Sequence, residues 1–150
     1  MRGGVYEMLA DASYCCELGV AGIDVAFKGD GRIVCADAIR ARDVNDAEFL
    51  AAIRACQMLA VRKAAAGSRV YTDSHAVARL TNQKRGDRYG CAADLRKMLA
   101  DHGWHLIEVH RGQVKAAHTI AHEALQIWRA GREQNATWLR TPYIKDPVPA

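Results

Sequence analysis

Arg69-Val-Tyr-Thr-Asp-Ser74 is the stretch on which the architecture turns. Val70, Tyr71 and Thr72 favour an extended, half-buried backbone, and Asp73-Ser74 can stop that strand and start a helix. A short strand running straight into a helix, roughly Ser74 to Leu80, is therefore predicted. The segment before it reads as a long helix. Asn45 can cap it, and Glu48 stands three residues on, a variant of the capping box. Phe49, Ala52, Ile53, Cys56, Leu59 and Ala60 recur at helical spacing as one apolar stripe, and Gly67 is expected to end the helix.

Further upstream the chain reads as strands. Val5 to Ala12, Gly19 to Phe27 and Arg32 to Arg40 are predicted strands, the last two joined by Lys28-Gly-Asp-Gly31, whose glycines suit a turn that needs positive φ. Downstream, Thr81 to Tyr89 is a polar, basic loop. Cys91 to Asp101 reads as a helix closed at Gly103, Trp104 to Val109 as a strand and Lys115 to Arg129 as the last helix. The order β-β-β-α-β-α-α-β-α implies an α/β fold, with three meandering strands continued by strand–helix units into one mixed sheet.

Composition bounds the function. The 150 residues suit one domain, read as 1–132, and all three prolines follow residue 140, so 133–150 reads as an irregular tail. Its Trp138 and Tyr143 suit packing on the domain or a partner site. No apolar run approaches the roughly 18 residues of a membrane span, and Met1-Arg-Gly-Gly4 opens no secretory signal, so a cytoplasmic protein with no membrane partner is expected. Five cysteines, two of them adjacent at Cys15-Cys16, give no disulfide framework, and no Cys-x-x-Cys pair points to thiolate zinc. The net charge of +4 permits binding to a polyanion, although a solvated basic surface accounts for it equally well.

Three carboxylates stand out by placement. Asp11 lies near the end of the first strand, Glu48 in the first turn of the long helix at the edge of its stripe, and Asp73 at the end of a short strand. Sites gather at such carboxyl ends in sheets with parallel strands. Hard divalent cations take oxygen ligands, and two of them can activate water and neutralise a leaving oxygen in phosphoryl displacement. Each residue also has a simpler reading: a strand end, a capping-box partner and a helix cap.

Together these motifs resemble the type 1 ribonuclease H family over roughly residues 5 to 130. Asp11-Ala-Ser13 resembles that family's first-strand Asp-Gly-Ser, Asn45-Asp-Ala-Glu48 its Asn-x-x-Glu, and Tyr71-Thr-Asp-Ser74 its Tyr-Thr-Asp-Ser. The resemblance implies a ribonuclease H-like fold with a mixed five-stranded sheet and helices on both faces. It implies an endonuclease that cuts the RNA strand of an RNA–DNA hybrid to a 5′-phosphate and a 3′-hydroxyl. It makes Asp11, Glu48 and Asp73 ligands of a two-metal Mg2+ or Mn2+ site, and puts Ser13, Asn45, Ser74 and His75 on the hybrid, where contacts to the 2′-hydroxyl separate RNA from DNA. A monomer is implied, working alone or beside a polymerase.

The departures fall in the closing helix. The family's fourth acid falls on His122, its asparagine four residues earlier on His118 and its loop histidine on Lys115, while Asp24 stands where glycine is common. His118 and His122 share a helix face, off the stripe of Ala117, Ile120, Ala121, Ala124 and Trp128. A surface pair is the plain reading. The functional one makes His122 the fourth catalytic member, as a ligand that shifts preference towards manganese or as a proton carrier, with Glu123 its rival. Arg79, Lys84, Arg85, Arg88, Arg96 and Lys97 would track a phosphate backbone, while Trp104, Trp128 and Tyr71 read as core. Two other readings share the fold: a nucleic-acid-binding module with weakened catalysis, and a DNA nuclease or transposase-like domain.

Overall fold

The computed structural model describes residues 3–82 and 90–131. Three strands open the chain: β1 (Glu7–Cys15), β2 (Val20–Phe27) and β3 (Ile33–Arg40). They are followed by α1 (Val44–Val61), β4 (Arg69–Thr72), α2 (His75–Asn82), α3 (Cys91–His102), β5 (His105–Glu108), one 3-10 turn (Arg111–Val114) and α4 (Lys115–Gly131). The five strands form one sheet in the order β3-β2-β1-β4-β5. β1, β2 and β3 pair antiparallel, whereas β4 runs parallel to both β1 and β5. The element order and mixed sheet are those expected from the sequence.

Strand alternation divides the core. Met8, Ala10, Ala12, Ala21, Ile23 and Val25 pack with Phe49, Ile53, Cys56 and Leu59 of α1 and with Leu95 and Leu99 of α3. Val20 and Ala38 point the other way and meet Leu125 and Trp128 of α4. Trp104, Trp128 and Tyr71 are buried, as expected. Among the described residues no helix is long and apolar enough to cross a membrane.

Local chemistry corrects several boundaries. α1 is capped by Asp43, not Asn45: the Asp43 carboxylate accepts from the Asp46 N–H at 2.7 Å, and Asp46 Oδ2 accepts from the Arg42 N–H at 2.8 Å. The reciprocal cap is thus Asp43-x-x-Asp46, two residues before the predicted one, and Glu48 has no part in it. α1 also ends at Val61 rather than near Gly67. Lys63 takes φ 52, its N–H bonds Ala60 O, and the Ala64 N–H bonds Leu59 O. This Schellman closure uses a lysine where glycine is usual. The stripe is wider than drawn, because α1 is enclosed by both sheet and α3: Leu50, Ala51 and Ala55 are buried too, whereas Ala60 is exposed. In the β2–β3 turn only Gly31 (φ 71) takes the positive φ expected of both glycines.

α4 lies directly on β2 because residue 22 is glycine. A Cβ there would stand 1.8 Å from the Ala121 carbonyl oxygen and 2.8 Å from the Leu125 nitrogen. Both are backbone atoms, so the helix itself must move. Gly22→Ala is expected to destabilise the domain by about 3 kcal/mol, the upper range of core overpacking, read as a lower denaturant midpoint. An unchanged midpoint would mean that α4 does not rest on β2.

Candidate active site

The sheet order makes the site. β1 and β4 are central, adjacent and parallel, with Leu9 opposite Tyr71. Two residues further along that register come Asp11, in mid-strand, and Asp73, the first residue after β4. Glu48 reaches the same place from the second turn of α1. One carboxylate oxygen from each of Asp11, Glu48 and Asp73 lies within 4.8 Å of the others.

The simpler readings of these acids do not describe them. Asp11 ends no strand, since β1 runs on to Cys15. Glu48 is released from capping by Asp46. Asp73 is released by Ser74, whose Oγ accepts from the Val77 N–H at 3.2 Å and so caps α2. Neighbouring residues satisfy the helix ends and leave three carboxylates facing one another.

Such crowding is unfavourable for bare anions. Burial pushes the Glu48 carboxyl well above the usual carboxylate range, and Asp11 and Asp73 push it further. Burial and then Asp73 raise Asp11 in the same way, against an opposing pull from His118. Asp11 is 1% exposed. The donors are all carboxylate oxygens on separate rigid elements, and they lack enough positive charge of their own. That donor set fits a hard divalent cation, which takes oxygen ligands and supplies the missing charge.

An open cavity of about 400 Å3 contains the cluster, and Ser13, Tyr14, Cys16, Val44, Arg111 and His118 complete its wall. His118 Nδ1 is 2.8 Å from Asp11 Oδ2, with its side chain about half exposed. His122 stands elsewhere: its Nδ1 is 3.3 Å from Ser13 Oγ and its Nε2 is 3.5 Å from the Gln126 amide. Four residues of helix advance about 6 Å, so only the histidine nearer the start of α4 meets the acids. Glu123 lines a separate groove with Asp37 and Ile127. Arg111, which the sequence reading missed, places Nε 3.6 Å from Asp73 Oδ2 while remaining 90% exposed. Its signal was its place in the loop before the closing helix.

Of the residues expected on the hybrid, Ser13 lines the cavity, while Asn45 is exposed on the first turn of α1. Ser74 caps α2, and His75 Nδ1 bonds Glu108 Oε2 at 3.0 Å, towards β5. Lys97 pairs with Asp101. Lys84, Arg85, Arg88, the Lys115 side chain and the tail 133–150 lie outside the described residues.

No family model and no curated protein matches the sequence. Solved structures do match. A ribonuclease H1 from the halophilic archaeon Halobacterium salinarum superposes with TM-score 0.65 at 22% identity, over 83% of this chain and 99% of that one. The N-terminal ribonuclease H domain of a Mycobacterium tuberculosis protein, solved as a maltose-binding-protein fusion, gives 0.64 at 16% identity, over 84% and 98%. A ribonuclease H1 isolated from compost by a metagenomic approach, solved in complex with an RNA/DNA hybrid, gives 0.65 at 18%, over 81% and 96%. With its mixed sheet in the order β3-β2-β1-β4-β5 and helices on both faces, the chain has a type 1 ribonuclease H-like fold.

Proposed function

We propose that this chain is a divalent-metal-dependent endoribonuclease that cuts the RNA strand of RNA–DNA hybrids. The observation that carries the reading is the convergence of Asp11, Glu48 and Asp73 from three elements to within 4.8 Å, each freed from a structural role. The hybrid complex of a structural neighbour supports the substrate. Asp11, Glu48 and Asp73 would hold Mg2+ or Mn2+. Bound there, the metals supply an activated water and neutralise the leaving oxygen.

The protein's own groups divide the remaining work. β1 fixes Asp11, and the junction of β4 with the Ser74-capped α2 fixes Asp73, so the acids need no rearrangement to act together. His118, bonded to Asp11, takes the place beside the carboxylates that the sequence reading gave to His122, and can hold a proton at the cavity mouth. His122 and Ser13, bonded to each other, form a rim for the hybrid backbone. Arg111 is 90% exposed and reaches the buried Asp73 carboxylate with Nε alone, at 3.6 Å. Its guanidinium is free to turn to a phosphate, which it can hold through paired N–H donors.

Arg111→Ala is therefore expected to raise KM about fivefold and to lower the salt slope of hybrid binding by about 1, the signature of one lost phosphate contact. Equal salt slopes for wild type and variant would remove Arg111 from the substrate. The reading as a whole is tested on a labelled hybrid, first with Mg2+ and then with Mn2+. Cutting of the RNA strand with the DNA strand intact is expected. A hybrid bound but uncut with either metal would make the chain a binding module of the same fold, a reading that the histidines on α4 favour.

A further inference from the structure

Among the described residues Asp24 is the most anomalous side chain. It lies in the middle of β2, is 0% exposed, and neither carboxylate oxygen has a hydrogen-bond partner. Among the described residues only Asp24 and Trp128 bury side-chain polar atoms in this state. A buried carboxyl without a partner is costly, and a strand centre with apolar residues on both sides offers no reason of packing to keep one.

Its position supplies a reason. Asp24 is paired across the β1–β2 ladder with Asp11. Directly opposite residues project from the same face with Cβ atoms about 5 Å apart. The buried cation of this region is on the other face: Arg54 is taken up by Asp37 and Cys35, whose strand positions alternate with Ala36, the β3 partner of Asp24. On the face that Asp24 shares, α4 brings His118 to Asp11 and brings no carboxylate into the cavity. Asp24 is thus a fourth acid set behind the other three, with nothing in the described protein to compensate it.

We propose that Asp24 is a positioning residue of the metal site, adding negative charge from β2 behind Asp11 so that the cluster holds its cation more tightly. The inference rests on the metal-dependent reading above. It assigns Asp24 no contact with substrate and none with the reacting atoms. Asp11 and Asp24 are cross-strand partners and both are buried, so the charge of Asp24 would act on a cation held by Asp11 with little screening. The same arrangement explains why an unpaired acid is tolerated: its compensation arrives with the metal.

The test is Mn2+ binding by calorimetry at mildly alkaline pH, with thermal denaturation in chelator and in excess Mn2+. The proteins are wild type, Asp24→Asn, Asp24→Val and Asp11→Asn. Asparagine keeps the shape of Asp24. Valine keeps strand propensity and removes the orphaned atoms, so folding does not depend on one variant. Both Asp24 variants are expected to melt higher than wild type in chelator, to bind Mn2+ about tenfold more weakly, and to gain less melting temperature from the metal. If they bind as tightly as wild type while Asp11→Asn does not bind, Asp24 is only a buried acid and this inference falls alone. If wild type itself binds no Mn2+, the metal-dependent reading falls and takes this inference with it.

Discussion

Asp11→Asn is expected to lower hybrid cleavage by about a thousandfold or more and, in chelator, to raise the melting temperature. The two effects share one cause. Asp11 lies at the centre of the acids, with Glu48 and Asp73 within 4.8 Å and Asp24 paired with it across β1–β2. Its carboxyl is raised by burial and by Asp73, which means that the ionised form is disfavoured in the metal-free fold. A neutral isostere relieves that strain. It also halves the ligand capacity of the one residue that both strands and α4 address. A site arranged for function commonly stabilises the protein when it is broken. Rates on a labelled hybrid and melting in chelator read the two effects separately. Retained cleavage in the variant would remove Asp11 from the chemistry, and a lowered melting temperature would mean that its bond to His118 outweighs the repulsion.

The second large effect is the pH dependence of the metal-free protein. Burial and then Asp11 push Asp24 up to about 7 from an ordinary carboxyl value near 4. Glu48 and Asp11 are raised as well. A raised folded-state value means that the folded protein binds more protons than the unfolded chain. Stability is then fully present below about pH 4 and is lost as pH rises through the raised values. For Asp24 the window runs from about pH 4 to about 7, and Glu48 extends it upward. The loss from Asp24 is on the order of 4 kcal/mol at most, at about 1.4 kcal/mol per pH unit. Most globular domains are most stable nearer neutrality, so a chelated protein that melts progressively lower from mildly acidic to mildly alkaline pH is a sharp expectation. Excess Mg2+ or Mn2+ should restore the loss, by about 3 kcal/mol at a hundred times the dissociation constant, and most at the alkaline end. Melting curves at several pH values, with chelator and with metal, check both halves. A chelated protein whose stability rises over the same range would show that the acids are compensated without a cation.

Much of this site was visible before the structure. Tyr71-Thr-Asp-Ser74 carries its own local physics, a strand that stops at an acid beside a helix-capping serine, and the structure places Ser74 in that cap. Asp11, Glu48 and Asp73 were legible together, through motifs that resemble the ribonuclease H family; read singly, Asp11 was expected near a strand end and stands in mid-strand. His118 and Arg111 were not, because their neighbours are Asp11 and Asp73, far away in the chain. A helical wheel gives the face that His118 and His122 share. It does not say which turn of that face stands over the carboxylates.

Periodicity, turn residues and caps act within a few positions of one another, so the elements, their order and the mixed sheet could be read from the amino-acid sequence. The ends of α1 were misplaced: Asp43 caps it instead of Asn45, and Lys63 closes it in a left-handed conformation that glycine usually takes, four residues before Gly67. Which side chains converge is set by the packing of distant segments. The parallel β1–β4 register sets Asp11 beside Asp73, the antiparallel β1–β2 register sets Asp24 opposite Asp11, and the contact of α4 with Gly22 selects His118 over His122. The physical reason is that register and helix placement are settled by burial summed over the whole core, so a charge learns its neighbours only when distant segments pack.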